Sequence, residues 1–434
     1  VTKEIPVPKN RASRLLKIGR LLGGIAGQML SDGVSALADG KPLRASDLLL
    51  TPANAMRLAE RLSEMRGAAM KIGQLLSMET GDYLPPALTE ILATLREHAH
   101  PMPQHQVAQV LETAWGKGWD GAFQQFSFTP FATASIGQVH EACKDGRHLA
   151  IKVQYPGIRK SIDSDVDNVA ALFGLFRLIP GEFDLAPLLK EAKQQLHQEA
   201  DYRAEAVNIA EYNRFIGDDS GFELPTVDSS LTTSDVLSMS FVAGAPIESL
   251  ASSPLNVRNR VATQLLALVL KELFEWGLVQ TDAQFGNYRY QVERDRIGLL
   301  DFGATRHYSD ELVDAFRRLM GAAIKGDLSA IEHTAVELGY LRQAESLAYR
   351  RGLCEMIRAV AEPVRYPGLF DFGTSDLSKR VVDLAISLRL HQRYMHLPPT
   401  DMLFLHRKIG GTYLLCARLR AQVDVNRLAA PYIR

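Results

Sequence analysis

The stretch Gln280-Thr281-Asp282-Ala283-Gln284-Phe285-Gly286-Asn287 decides the fold, together with Asp301-Phe302-Gly303, which follows Ile297-Gly298-Leu299-Leu300. An acid is followed five positions later by an amide, and a second acid opens a glycine turn directly after an apolar strand. That spacing lets the first acid face an attacking hydroxyl or water while the amide turns back toward a metal on a phosphate. Asp301 supplies the hard carboxylate oxygen that magnesium prefers. A lone Asp-Phe-Gly is a weak signal, and a second copy stands at Asp371-Phe372-Gly373. Position separates the two. Asp301 follows Asp282 by 19 residues at a strand end, whereas Asp371 lies far downstream in a Pro/Gly-rich loop and reads as structural or accidental.

Upstream, Lys152 sits in the strand-like Leu149-Ala150-Ile151-Lys152. Its ammonium would meet phosphates there, provided a carboxylate holds it. The candidates lie in Glu199-Ala200-Asp201-Tyr202-Arg203-Ala204-Glu205. On one helix Asp201 and Glu205 share a face and Glu199 points elsewhere. Glu205 is then the partner of Lys152, leaving Glu199 and Asp201 for another cation; a solvated, charge-rich helix face is the equally weighted alternative. The order Lys152, Asp282, Asn287, Asp301 is that of a protein-kinase nucleotide site. The expected fold is α+β, a protein-kinase-like bilobal fold with a helical N-terminal extension. Asp282, Lys152 and Glu205 are the expected catalytic residues, Asn287 and Asp301 the Mg2+ ligands, and ATP (or ADP) the nucleotide.

Two departures from ordinary kinases stand out. The pattern Gly-x-Gly-x-x-Gly-x-Val is replaced by Ala132-Thr133-Ala134-Ser135-Ile136-Gly137-Gln138-Val139. Two glycines have become alanine, and each added Cβ restricts close approach of backbone amides to phosphate. Ala132, Thr133, Ala134, Ser135, Gly137 and Val139 remain the expected nucleotide-covering residues, with the Thr133 and Ser135 hydroxyls as added polar groups. Secondly, Gln280-Thr281 replaces the arginine that commonly precedes the catalytic acid, and Ala304-Thr305-Arg306-His307-Tyr308-Ser309 runs directly into the helical pattern of residues 311–320. No Ala-Pro-Glu element follows, so the platform for a peptide substrate is missing or very short.

Length and composition set the frame. A chain of 434 residues can bury a core in two or more lobes. A formal net charge of −1 gives no global attraction to nucleic acid. The three cysteines are scattered and form no CxxC pair, which excludes a cysteine metal cluster and suits a reducing compartment. No uninterrupted apolar run of about 18 residues predicts a membrane span, and no secretory signal is expected. Residues 1–30 are basic and amphipathic, with Gly19, Gly23 and Gly27 every fourth position. They suit either docking on the protein's own core or contact with a membrane surface. Leu58, Leu62, Met65, Ala69, Ile72 and Leu76 predict a long helix, with Lys71 and Gln74 on one face beside the buried stripe. The expected domains are a helical extension (1–118), a strand-rich lobe with a helical insert (119–242) and a helical lobe (243–434), with residues 242–246 as the hinge.

With these motifs in order, the chain resembles the UbiB/ADCK family of atypical kinases. Met70-Lys71-Ile72-Gly73-Gln74 is similar to that family's Lys-x-Gly-Gln signature and Glu199-Ala200-Asp201 to its Glu-x-Asp signature. The alanine-rich loop, Lys152, and the segments at Asp282–Asn287 and Asp301–Gly303 follow in the family's order, although Thr133 stands where an alanine is common. The resemblance implies a helical extension laid across the cleft, with Lys71, Gln74, Glu199 and Asp201 gating it and Lys71 meeting Glu199 or Asp201. It further implies a Mg-ATP-dependent ATPase supporting ubiquinone biosynthesis, with a membrane surface, lipid quinone intermediates and quinone-biosynthesis proteins as partners. A homodimer is compatible with it. The expected location is the cytoplasm, peripheral on the inner membrane, or the mitochondrial matrix in a eukaryote. Two alternatives stay open: a kinase phosphorylating a protein or small molecule, and a non-catalytic nucleotide-gated scaffold.

Overall fold

A computed structural model describes residue 62 and residues 65–80, 101–175, 186–217, 221–342, 344–392 and 398–433. The amphipathic segment expected over residues 1–30, and Leu58 of the expected long helix, lie outside the described residues. The chain divides into two compact units, residues 1–207 with 226–241 and residues 208–225 with 242–434.

The first unit is built on a twisted antiparallel sheet. Strands β1 (Gln125–Phe126), β2 (Ala132–Thr133), β3 (Gly137–Lys144), β4 (Arg147–Gln154) and β6 (Val236–Ser240) form it, with β3 at its centre pairing β1, β2 and β4. β4 alternates little because both its faces are covered: residues 149–154 are all buried, as in strands packed on two sides. One cover is α2 (Gln104–Trp115), whose Val107 and Leu111 meet Leu149, Ile151 and Val153 in a common core. An aromatic group closes its edge, with Trp119 packed edge-on against Phe126 at 5.0 Å and Trp115 stacked on Phe123 at 5.2 Å. Helix α1 (Arg66–Thr80) packs on α3 (Ile158–Leu175) and α4 (Ala186–Glu199). Leu62, Met65, Ala69 and Ile72 are buried, following the alternating spacing of their apolar stripe.

The single helix expected to carry Glu199, Asp201 and Glu205 resolves into two. α4 stops at Glu199, and α5 (Tyr202–Ile216) restarts after Ala200 and Asp201. Asp201 drives the restart: its Oδ1 accepts the backbone N–H of Arg203 at 3.1 Å and of Ala204 at 3.3 Å, as an N-cap acid does. The first residues of α5 belong to the first unit and the rest to the second.

The second unit adds more strand than the sequence pattern predicts. Beside the expected β10 (Arg296–Leu299) runs β9 (Tyr288–Gln291), antiparallel through a turn in which Asp295 takes a φ of 53°. β5 (Phe222–Glu223) pairs parallel to β10, and β7 (Ala245–Pro246) pairs β9. β8 (Leu278–Gln280) and β11 (Thr305–His307) form a separate ladder. The helices are α6 (Leu255–Lys271), α7 (Asp310–Lys325), α8 (Leu328–Glu337), α9 (Leu347–Val360), the short α10 (Glu362–Arg365), α11 (Leu377–Gln392), α12 (Thr400–Arg418) and α13 (Val425–Ala429). β12 (Phe370–Asp371) and β13 (Gln422–Val423) form a further ladder. α7 begins where Ser309 accepts the Leu312 N–H and ends at Gly326 with φ 71°. Its apolar face joins Ile331, Leu353, Met402 and Leu405 in the unit's core.

Candidate active site

Four of the expected residues come together in the first unit, in two separate ion pairs. Lys152 lies on β4, and its Nζ donates to both carboxylate oxygens of Glu205 on α5, each at 2.9 Å. The pair is nearly dry, with side-chain exposures of 9% and 1%. The Tyr202 ring stands 5.2 Å from the same ammonium, a further attraction for a desolvated cation. Lys71, 3% exposed on α1, pairs instead with Glu199 at the end of α4. Glu199 also accepts the Ser135 hydroxyl at 2.8 Å. The Ser135 hydroxyl expected to face nucleotide is therefore directed to this acid. Asp201, expected to join in gating, spends one carboxylate oxygen on capping α5. Gln74 lies on α1.

The alanine-rich loop is the connection of a tight hairpin. Ala132 pairs with Val139 and Thr133 with Gln138, and the Ala134 N–H donates to the Gly137 carbonyl at 2.9 Å. On the other side of β3, Val139 pairs with Lys152. Gly137, the one glycine kept from the usual pattern, has no room for a side chain: a Cβ would lie 2.4 Å from the Val153 carbonyl oxygen and 2.8 Å from the Tyr202 hydroxyl. Gly67 on α1 is similar, since its Cβ would meet the Ser135 carbonyl oxygen at 2.9 Å. The loop is thus held from below by β4 and from the side by α1.

The second unit assembles Asp282, Asn287 and Asp301 around one set of backbone bonds. Asn287 Nδ2 donates to the Asp282 carbonyl at 3.0 Å, closing the five-residue loop on itself. Gln280 Nε2 donates to the carbonyls of both Asp282 and Asp301, at 3.0 and 3.1 Å. The Leu300 N–H reaches the Asn287 carbonyl at 3.0 Å, so β10 delivers Asp301 beside Asn287. Asp301 Oδ1 accepts the Gly303 N–H at 2.9 Å. Thr281 binds the Ala304 carbonyl through both its N–H and its hydroxyl, at 3.1 and 2.6 Å. Together with the β8–β11 ladder and the Arg306–Asp401 pair, these bonds order the segment after Gly303 without a phosphate or the missing arginine.

The donor set suits magnesium. Asp301 brings a carboxylate, and Asn287, with its Nδ2 committed to Asp282, brings an amide oxygen. Among the described residues no group of three or more His, Cys, Asp or Glu could enclose a metal. Magnesium is normally held by one or two such ligands plus substrate phosphates rather than by a protein cage.

Sequence reasoning missed the residues beneath this loop. Arg407 on α12 pairs with the Asp282 carboxylate, with both side chains mostly covered at 15% and 18% exposure. Lys408, the next residue, is fully buried and reaches Glu272 at 2.8 Å. Glu272 opens a π-turn (Glu272–Trp276) after α6 and also accepts the Tyr212 hydroxyl at 2.8 Å. Burial works against the Lys408 charge, but the Glu272 carboxylate and the Tyr288 hydroxyl outweigh it and hold the ammonium above its ordinary value. A small cavity touches Glu272, Gln280, Asn287, Tyr288, Asp301 and Lys408, so this pair lies against Asn287 and Asp301. The available signal was two adjacent cations, Arg407 and Lys408, inside an otherwise apolar helical run.

Residues 94–335 match the ABC1 atypical kinase-like domain. The chain is 35% identical over 425 residues to the atypical kinase COQ8B, mitochondrial, of Rattus norvegicus, covering 97% of this chain and 80% of that protein. It is 34% identical over 429 residues to the atypical kinase COQ8, mitochondrial, of Saccharomyces cerevisiae, covering 98% and 85%. Among solved structures, the erythromycin complex of Rv3197 from Mycobacterium tuberculosis is similar with a TM-score of 0.62 and 25% identity, over 93% of this chain and 98% of that one.

Proposed function

We propose, from the premise that this chain belongs to the family of ABC1 atypical kinase-like proteins, that it is a Mg-ATP-dependent ATPase supporting ubiquinone biosynthesis. The observation that carries the reading is the bonded set Asp282, Asn287 and Asp301, knit by Gln280 and Asn287 into one rigid loop. Preorganised donors of this kind are what phosphoryl transfer requires, because the chemistry is mostly positioning and charge stabilisation.

Asp282 orients the attacking water, and Arg407 fixes the rotamer from which it does so. Lys152, clamped by both oxygens of Glu205, presents a point charge suited to nucleotide phosphates. Asn287 and Asp301 would hold magnesium, which when bound would neutralise phosphate charge. Water is favoured over a peptide because the segment after Gly303 is pinned to β8 and Thr281 at once, which supports a short segment with no peptide platform. Lys71 and Glu199 hold α1 against the alanine-rich loop, which supports a gating role for this helix.

The setting proposed is a membrane surface carrying quinone intermediates. Among the described residues no helix is long and apolar enough to cross a membrane, and the COQ8 relatives are named as mitochondrial. The test is Mg-ATP hydrolysis by purified protein, with and without anionic vesicles and phenolic quinone-like compounds. Free phosphate should be the main product, rising with these additives and lost in Asp301→Asn. Phosphate retained on a protein or metabolite would transfer the reading to a kinase. Quinone levels in a deletion strain complemented by wild type or Asp301→Asn test the pathway assignment.

A further inference from the structure

We propose that Gly411 is a positioning residue for phosphoryl transfer, the seat on which α12 sets the height of the catalytic loop. The inference rests on the ATPase reading above. Three neighbours on α12 engage the loop or its support. Arg407 takes the Asp282 carboxylate, Lys408 is fixed in rotation by its buried pair with Glu272, and Gly411, one turn beyond Arg407, touches Ala283. The last contact is the tightest. A Cβ on Gly411 would lie 2.8 Å from the Ala283 Cβ and 2.9 Å from its carbonyl oxygen, both well inside van der Waals contact. Ala283 follows the attacking-water acid directly and is 5% exposed, so it has little room to retreat.

α12 is also the wrong partner to yield. Lys408 and Glu272 anchor it by a dry ion pair, while Leu405 and Cys416 are fully buried on either side of the glycine. An added methyl therefore moves the loop rather than the helix. Displacement would carry Asp282 and, through the Asn287–Asp282 bond, the magnesium-side amide with it. Misplacement of reacting groups by about 1 Å lowers rates by roughly 10²-fold.

The adjacent glycine supplies the control. Gly410 is on the same helix, and a Cβ there would meet nothing within 4 Å. In an open helical position alanine is favoured over glycine, so Gly410→Ala should melt at or above the wild-type temperature with unchanged turnover. Gly411→Ala should lower kcat for Mg-ATP by roughly ten- to a hundredfold, with KM changed by less than about threefold. Ala283→Gly placed in the Gly411→Ala background removes one of the two clashes and should recover part of kcat.

A second readout does not depend on turnover. Amide exchange at Asn287 and Leu300, whose N–H groups bond Gln284 and Asn287, should quicken in Gly411→Ala but not in Gly410→Ala. If wild type shows no hydrolysis at all, the ATPase reading falls while the exchange comparison still decides the seat. Equal kcat in the two alanine variants, unchanged exchange in the loop, or faster exchange spread along α12 itself would overturn the proposal.

Discussion

The two Asp-Phe-Gly turns share a sequence and a local geometry yet differ in everything around them. In each, the aspartate Oδ1 accepts the glycine N–H two residues on at 2.9 Å. Each phenylalanine is buried, Phe302 at 1% and Phe372 at 2% exposure. Beyond that the two part. Asp301 follows β10 by two residues and lies next to Asn287, its carbonyl accepts from Gln280, and Phe302 packs on Tyr212 at 4.8 Å while its carbonyl accepts from Asn208. Asp371 Oδ2 instead accepts from Gln422 Nε2 at 2.9 Å and its Oδ1 accepts the Thr374 N–H as well, and Phe372 packs edge-on between Phe370 and Tyr413. The tripeptide encodes a turn. What surrounds the carboxylate differs: the Asn287 amide stands beside one and the strand-tying Gln422 beside the other.

The sharpest way to break this contrast is a matched pair of charge removals. Asp301→Asn should lower Mg-ATP turnover by about 10²-fold or more. Asp371→Asn should leave it within about twofold, as substitutions away from a site usually do. Equal losses would erase the distinction. The aromatic pair comes next. Phe302→Ala and Phe372→Ala should each cost about 3–5 kcal/mol of stability in denaturant unfolding, while only the first reduces turnover per folded molecule. Smaller still, Gln422→Ala should cost about 1.5 kcal/mol, the low end of the range for a hydrogen bond to a charged acceptor, with activity intact. Last is a pH effect. The Gln422 amide, joined by the Gly373 and Thr374 N–H groups, holds the Asp371 carboxyl below its ordinary value. A depressed folded-state value stabilises the fold above the unfolded carboxylate range and is lost as pH falls through the folded value. The melting-temperature advantage of wild type over Asp371→Asn should therefore be flat near neutrality and vanish in acid.

The protein-kinase-like α+β fold was legible because its signals are local. Spacing and strand context separated Asp301 from Asp371, and the stripe Leu62, Met65, Ala69, Ile72 marked α1. The break between α4 and α5 was not, because Ala200 and Asp201 fit helical periodicity and only the capping bonds of Asp201 reveal the restart. β9 escaped for another reason: Tyr288-Arg289-Tyr290-Gln291 shows little apolar alternation, and its identity comes from register with β10. Arg407 and Lys408 carried only the faint signal of two adjacent cations in an apolar helical run, and Gly411 carried none. They sit more than 100 positions after Asp282, on an ordinary-looking helix, and their meaning lies in what they touch.

The interruption at Ala200 and Asp201 has a practical corollary. Because Glu199 serves Lys71 and Glu205 serves Lys152, the two buried amines hang on separately oriented carboxylates rather than on one shared helical rail. A reagent or substitution directed at Lys71 can loosen α1 while Lys152 keeps its anchor on Glu205, so the two ends of this helical break can be addressed one at a time.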